Sequence, residues 1–422
     1  MAKSRNIPRF CFYGSITGIL ICLYWLWSNP NQNYSQKPNP ILFSDGVTSC
    51  GSPTGVNTVD RLNNPDNYTF YDDPTVNYSI GQPLTSWDER RREWLNLHPS
   101  FKTGVSDRVL ILTGSQPKPC KNPIGDHLQL RLFKNKVDYC RIHGYDIYYS
   151  NTFLHSEMRS YWTKMPVVRA AMLAHPETEW FLWIDSDAIF TDMDFKAPLT
   201  RYKDYNMVIH GWPDAVFGKK SWVGANAGVF LMRNCQWSLD FMEVWAEMGP
   251  QSPDYEKWGE IQRSTFPDKE YPKSDDQSGL IYLIIKEKET WGKKIYLENE
   301  YELSGYWLNL VGKFLNISNI YEDMEKSVRR LRRRHAEVNT EHYAVVREKY
   351  LAGDRRPFIT HFTGCQQCNG DHNPIYVGDS CWDGMEIALN FADNQVLRPY
   401  GFVHPDLRNG SYVRPVSFDY PA

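Results

Sequence analysis

The stretch Trp180–Asp187, WFLWIDSD, constrains this chain more than any other. An unbroken apolar run of that length reads as a strand covered on both faces, because a strand with one wet face alternates apolar and polar residues. The run stops at Asp185, Ser186 and Asp187, so two carboxylates stand at the C-terminal end of a buried strand. Alternate residues of an extended chain point the same way, about 6.5 Å apart. Carboxylates beside Trp183 and Ile184 are costly unless something pairs with them, and a hard divalent cation held between them meets that need. Such a cation can in turn neutralise a diphosphate. Asp192 and Asp194, just beyond, read as capping or surface acids.

A strand covered on both faces needs helices, and the flanking sequence supplies them. Patterning predicts strands over Arg108–Thr113, Tyr145–Tyr149, Glu179–Ile184, Asn206–His210 and Gly228–Met232. Helical spacing falls over Trp87–Leu97, His127–His143, Met165–Ala174, Cys235–Trp245 and Asp275–Ile285. This alternation predicts an α/β sheet of mainly parallel strands, with ligands at the strand C-terminal ends. At 41% hydrophobic the chain can bury a large core, and 47 basic against 50 acidic residues, net −3, leave no footprint for nucleic acid. The charged stretch Tyr321–Tyr350 contains a basic cluster, Arg329, Arg330, Arg332, Arg333 and Arg334, but flanking acids make it a solvated helical pair.

The N-terminus carries an address. Phe10–Trp27 holds no charge, spans about 27 Å as a helix, and leaves through Trp25 and Trp27, as an interfacial anchor does. Lys3, Arg5 and Arg9 precede it without an acid, which places residues 1–9 in the cytosol and everything after Ser28 in the lumen. Residues 28–94, rich in Asn, Pro, Asp and Ser, read as an extended luminal stem, and 95–422 as the catalytic domain. N-x-S/T sequons at Asn33, Asn67, Asn77, Asn316 and Asn409 agree with a luminal address. So do Cys120, Cys140, Cys235, Cys365, Cys368 and Cys381, which suit disulfides in pairings left open by the sequence. Cys365 and Cys368 form a C-x-x-C without a second such pair for zinc, so bridging is the reading.

Other constellations carry two readings each. Ser274-Asp275-Asp276-Gln277 opens a helix as an N-cap with first-turn acids, or binds sugar hydroxyls. His361, in the strand-like run before Gly364, is a core histidine or a metal ligand. Asn226-Ala227-Gly228 lets a backbone approach a ligand, or simply starts a strand. Lys164 and Arg169 reach a diphosphate, or are exposed cations. Among 15 Trp, Trp212, Trp222 and Trp307 serve as polysaccharide platforms or as core.

The segments TGSQPKPCKNPIGDH, KNKVDYCRIHGYDIYY, WIDSDAIFTDMDF, HGWPDAVFGKKSW, NAGVFLMRNCQWSLDFMEVW, SDDQSGLIYLI, YLENEYELSGYW, PFITHFTGC and LNFADNQVLRPYGF resemble plant Golgi glycosyltransferases of family 34, which add α-1,6 side-chain sugars to hemicelluloses. The likeness runs from about Trp87 to Gly401. TFYDDP, EKWGE and RPFITHFTGCQQCNG resemble the galactomannan galactosyltransferase branch more than the xyloglucan xylosyltransferase branch. The resemblance implies the GT-A fold, a Rossmann-like mixed sheet flanked by helices. It implies Mn2+, UDP-galactose as donor, and retention of the donor's α-configuration.

Transferred by position, Asp185 and Asp187 resemble the metal-binding D-x-D and His361 the histidine that completes the metal shell. Asp275, Asp276 and Gln277 match the D-D-Q near the acceptor and the anomeric carbon. Ser115, Ser186, Asn226 and Gly228 fall among the nucleotide-sugar contacts. One position departs: xylosyltransferases carry Lys where this chain has Gln366, which leaves the phosphate contact to other cations, Lys164 or Arg169. The expected acceptor is mannan or glucomannan, the expected setting a Golgi membrane with homo- or hetero-oligomeric partners, and no nucleic acid. Competing readings are a xylosyltransferase using UDP-xylose, a non-catalytic Golgi scaffold, and a metal-dependent phosphohydrolase.

Overall fold

Every strand read from the sequence forms, and the strands gather into one twisted sheet. The computed structural model describes residues 73, 76–327, 345 and 355–416. Strands β1 (Val109–Gly114), β2 (Asp146–Ser150), β3 (Trp180–Ile184), β5 (Met207–Gly211), β6 (Ala225–Arg233) and β7 (Ile295–Glu298) line up in the order β2-β1-β3-β6-β5-β7. The pairs β1/β2, β1/β3 and β5/β7 are parallel, while β6 runs antiparallel to both β3 and β5. One antiparallel strand, β6, among five that run the same way makes this a mainly parallel, mixed sheet, as expected. The cause of the one reversal is local: β5 and β6 are joined by a loop without a crossover helix, and only a crossover returns a strand in parallel.

Helices cover both faces. On one side lie α3 (Lys164–Ala174), α4 (Gln236–Ala246) and α6 (Asp276–Lys286); on the other lie α2 (Gly125–His143) and α8 (Ser380–Leu397). Strand β3 serves both cores, sending Phe181 and Trp183 to the first and Trp180, Leu182 and Ile184 to the second. That division is why its sequence shows no alternation. A second, three-stranded sheet joins β4 (Ala188–Phe190), β9 (Ile359–His361) and β8 (Gly305–Tyr306), with Ala188 opposite His361. It folds the C-terminal part of the chain back over the end of β3.

Two disulfides hold this return in place, Cys120–Cys368 and Cys365–Cys381, while Cys140 and Cys235 remain free thiols. The packed part of the chain begins earlier than the sequence boundary at Leu95. Ile80, Leu84 and Trp87 belong to the core, and the Trp87 indole donates to Asn234 Oδ1 at 2.7 Å. Helix α1 (Trp87–Leu97) then lies on the domain, with Arg91 donating to Glu179 and to the carbonyls of Pro176 and Thr178. Apolar residues spaced among Pro, Gly and Asn show no periodicity, which hid this segment from sequence reading. Phe10–Trp27, Cys11, Cys22, Cys50, Asn33, Asn67 and the basic cluster Arg329–Arg334 lie outside the described residues. Among the described residues, no helix is long and apolar enough to cross a membrane.

Candidate active site

The C-terminal end of β3 and the residues folded over it form a cluster of Asp185, Asp187 and His361, whose ligand atoms all lie within 4.8 Å of one another. The backbone builds it. Asp185 N donates to Gly228 O at 2.8 Å, Ala188 N closes the turn onto Asp185 O at 3.1 Å, and Phe362 N donates to Asp187 O at 3.1 Å. His361 Nε2 faces Asp187 Oδ1 at 3.3 Å. Its other nitrogen, Nδ1, is held by Ser304 Oγ at 3.0 Å and Asn226 Oδ1 at 3.2 Å. A histidine fixed through one nitrogen by an oxygen acceptor presents the other as a ligand.

The residues fit a divalent ion on two further counts. Two carboxylates and one imidazole are the hard and borderline donors that suit Mn2+ or Mg2+. Gly228 lies so close that an added Cβ would strike His361 Cε1, Asp185 Oδ2 and His361 Nδ1. A side chain there would occupy the space into which both ligands point.

Two buried lysines flank the cluster. Lys164 donates to Ala227 O at 3.0 Å and pairs with Asp276 Oδ2 at 2.6 Å and Asp185 Oδ1 at 3.3 Å. Burial works against its charge, but Asp185 and Asp276 outweigh it and hold its pKa above the ordinary lysine value. Burial also raises Asp276 to about 6, with Lys164 pulling the other way. Lys136 enters from α2, donating to Ala188 O at 2.7 Å and Ser186 O at 3.3 Å. Burial lowers its pKa to about 8 against the pull of Asp187 and Asp185. It clamps the D-x-D turn through backbone carbonyls, with Trp183 Nε1 donating to Asp185 Oδ1 at 2.7 Å from the other side.

The D-D-Q motif divides. Asp275 caps α6, accepting from Ser278 N at 2.7 Å and Ser278 Oγ at 2.8 Å, and pairs with buried Lys269. Asp276 alone meets Lys164. Gln277 accepts from Asn226 Nδ2 and Ala227 N, each at 3.3 Å, and donates to Trp222 O at 2.9 Å. It ties the start of β6 to the loop before it. Asn226 in turn accepts from Gly228 N at 2.9 Å and Ser304 Oγ at 2.8 Å.

Of the other expected residues, Arg169 and Gln366 find their partners elsewhere. Arg169 is buried, against the reading of an exposed cation, and it donates to Glu243 and to the carbonyls of Asn77 and Gln82. Lys164 is likewise buried. Gln366 is exposed and accepts from Asn369. Its neighbour Gln367, buried, reaches Ser186 Oγ at 3.0 Å. Ser115 continues β1, its N donating to Ser150 O at 2.9 Å. Asp192 is buried and accepts from Asp194 N, so it is neither a surface acid nor a helix cap.

Ser304, Lys136 and Gln367 were not among the expected residues. Lys136 was accessible to sequence reading, because it falls on the stripe Leu128, Leu132, Cys140 that α2 turns to the core. Ser304 and Gln367 sit in irregular segments with no periodic signal.

Residues 105–372 match the galactosyl transferase GMA12/MNN10 family. The chain is 60% identical over 435 residues to galactomannan galactosyltransferase 1 of Cyamopsis tetragonoloba, covering 100% of both chains. It is 58% identical over 391 residues to glycosyltransferase 6 of Arabidopsis thaliana, covering 90% of each. Among solved structures, the galactosyltransferase LgtC with donor and acceptor sugar analogues aligns at 12% identity and a TM-score of 0.33, over 67% of this chain and 95% of that one. On the family match and on relatives aligned along its whole length, the chain belongs to the galactosyl transferase GMA12/MNN10 family and is a glycosyltransferase.

Proposed function

We propose that this chain is a retaining α-1,6-galactosyltransferase of GT-A type that moves galactose from UDP-galactose to a β-1,4-mannan or glucomannan backbone. The observation that carries the donor and acceptor is the 60% identity along the whole chain to a galactomannan galactosyltransferase. Gln366 supports galactose over xylose, since it stands where the xylosyl branch has Lys and it is turned to solvent.

Asp185, Asp187 and His361 would hold Mn2+, and when bound the ion offsets the charge that develops on the departing diphosphate. Lys164 pairs with both Asp185 and Asp276 and fixes them relative to each other. Gln277 holds the Asn226-Ala227-Gly228 backbone, so the floor under the donor sugar is set before the donor arrives. With Asp275 committed to Lys269 and Ser278, it is not the carboxylate a covalent two-step route needs under the anomeric carbon. Front-face attack is the route we favour, the leaving oxygen taking the acceptor hydroxyl proton.

The same reading places the enzyme in a Golgi membrane as a single-pass type II protein, anchored by Phe10–Trp27 and glycosylated in the lumen. Exposure of Asn77, Asn316 and Asn409 supports the glycans. The test offers UDP-galactose or UDP-xylose with manno- and cello-oligosaccharides, with and without Mn2+. Metal-dependent galactose transfer to the manno-oligosaccharide, lost in Asp185→Asn, is expected. Xylose transfer to the cello-oligosaccharide would overturn the donor assignment, and a folded, UDP-binding protein that transfers nothing would favour a scaffold.

A further inference from the structure

The order of strands across the C-terminal edge of the sheet lays the site out in a line. Asp185 follows the end of strand β3, its neighbour β6 carries Asn226 and Gly228, the next strand β5 carries His210, and β7 carries Glu298. His210 stands opposite Asn226 in one register and opposite Glu298 in the other, so the three side chains share a face. Neighbouring strands are about 4.8 Å apart, which puts His210 about 10 Å from the end of β3, roughly the reach of one hexose and the bond to the next.

His210 is 5% exposed, and its Nδ1 has no hydrogen-bond partner. Burial lowers its pKa to about 4 against a backbone hydrogen bond to Glu298, so the ring is neutral and the open nitrogen accepts. A buried acceptor left open asks for a donor. Over this ring, edge to face at 4.8 Å, lies Trp212, itself 48% exposed. The loop that follows is irregular, with a π-turn at Asp214–Gly218 and a left-handed Lys220 at φ 51°. Both features gather at functional sites. Gln277 and Asp268 pin the far end of the loop through Trp222.

We propose that His210 and Trp212 form the subsite for the acceptor glycan, Trp212 stacking on a β-1,4-linked hexopyranose and moving off His210 so that Nδ1 accepts a hydroxyl hydrogen from it. The inference rests on the glycosyltransferase reading and deepens it by naming the acceptor side of the site. An exposed indole is the surface on which sugar rings stack, and a neutral buried imidazole discriminates among hydroxyl positions.

The test measures binding of mannohexaose and cellohexaose to the full chain, read by tryptophan fluorescence and calorimetry, for the wild type, Trp212→Ala and His210→Leu. Each substitution is expected to weaken oligosaccharide binding by about tenfold, the loss of one hydrogen bond or one stacked ring. Trp212→Ala is not expected to lower the melting temperature, because Trp212 is half in solvent, and His210→Leu is expected to lower it only by what the lost hydrogen bond to the Glu298 backbone costs. Wild-type affinity in both variants, or no binding of either sugar to the wild type, overturns the proposal. A lower melting temperature in His210→Leu with unchanged binding also overturns it, showing a structural histidine. Binding of cellohexaose alone leaves the subsite standing and removes the galactomannan assignment.

Discussion

Gly228 shows how much of the site a single residue decides. Its missing side chain is the gap into which His361 and Asp185 both point, so Gly228→Ala is expected to weaken Mn2+ binding at least tenfold, measured by the electron paramagnetic signal of the free ion, with near-normal folding. His210 predicts a pH effect. Its folded pKa lies below the unfolded one, so its share of stability is complete above about 6.5 and is lost as pH falls toward 4. Between pH 7 and pH 5 that share amounts to about 2 kcal/mol, and urea unfolding of His210→Leu is expected to show an acid loss smaller by that amount. An equal loss in wild type and variant would show that His210 is protonated when folded.

Among the elements, α6 separates two acids that sequence presents as one motif. Asp275 serves the helix and Lys269, whereas Asp276 serves Lys164. Asp275→Ala therefore leaves a buried lysine unpaired and a helix uncapped, and is expected to cost about 3–5 kcal/mol in denaturant unfolding. Asp276→Asn keeps the helix start and is expected to lose transfer activity with a smaller change in stability. If the two variants lose stability equally, the division is wrong. The elements themselves were legible because α2 and α6 carry a helical period and β3 an unbroken apolar run. The antiparallel sense of β6 was not, since a strand's direction is set by its connection and both senses share one residue pattern. Within the site, Asp185, Asp187 and His361 were legible as acids at a strand end and as matched motifs. The fate of Arg169 was not, because its partners Glu243 and Asn77 are distant in sequence and only the fold unites them.

For the whole molecule, the segment ahead of α1 packs into the core of the folded domain. Ile80, Leu84 and Trp87 fill the core beside α4, and Arg169 with Glu243 grips the backbone from Asn77 to Gln82. A chain beginning at Leu95 is expected to be insoluble, having lost about 1.5–3 kcal/mol for each buried side chain, while one beginning at Asp73 melts as the full chain does. Soluble, cooperative melting of the shorter chain would show the segment to be dispensable.

The three metal-type ligands come from opposite ends of the chain's history. Asp185 and Asp187 are made when less than half the chain exists, but His361 joins them only by pairing β9 with β4 after the C-terminal part has been synthesised. A chain that ends before β9 thus carries the residues of all six strands of the main sheet but lacks the third member of the cluster. The cluster is therefore a late product of the chain, whole only once the C-terminal part of the domain has been made.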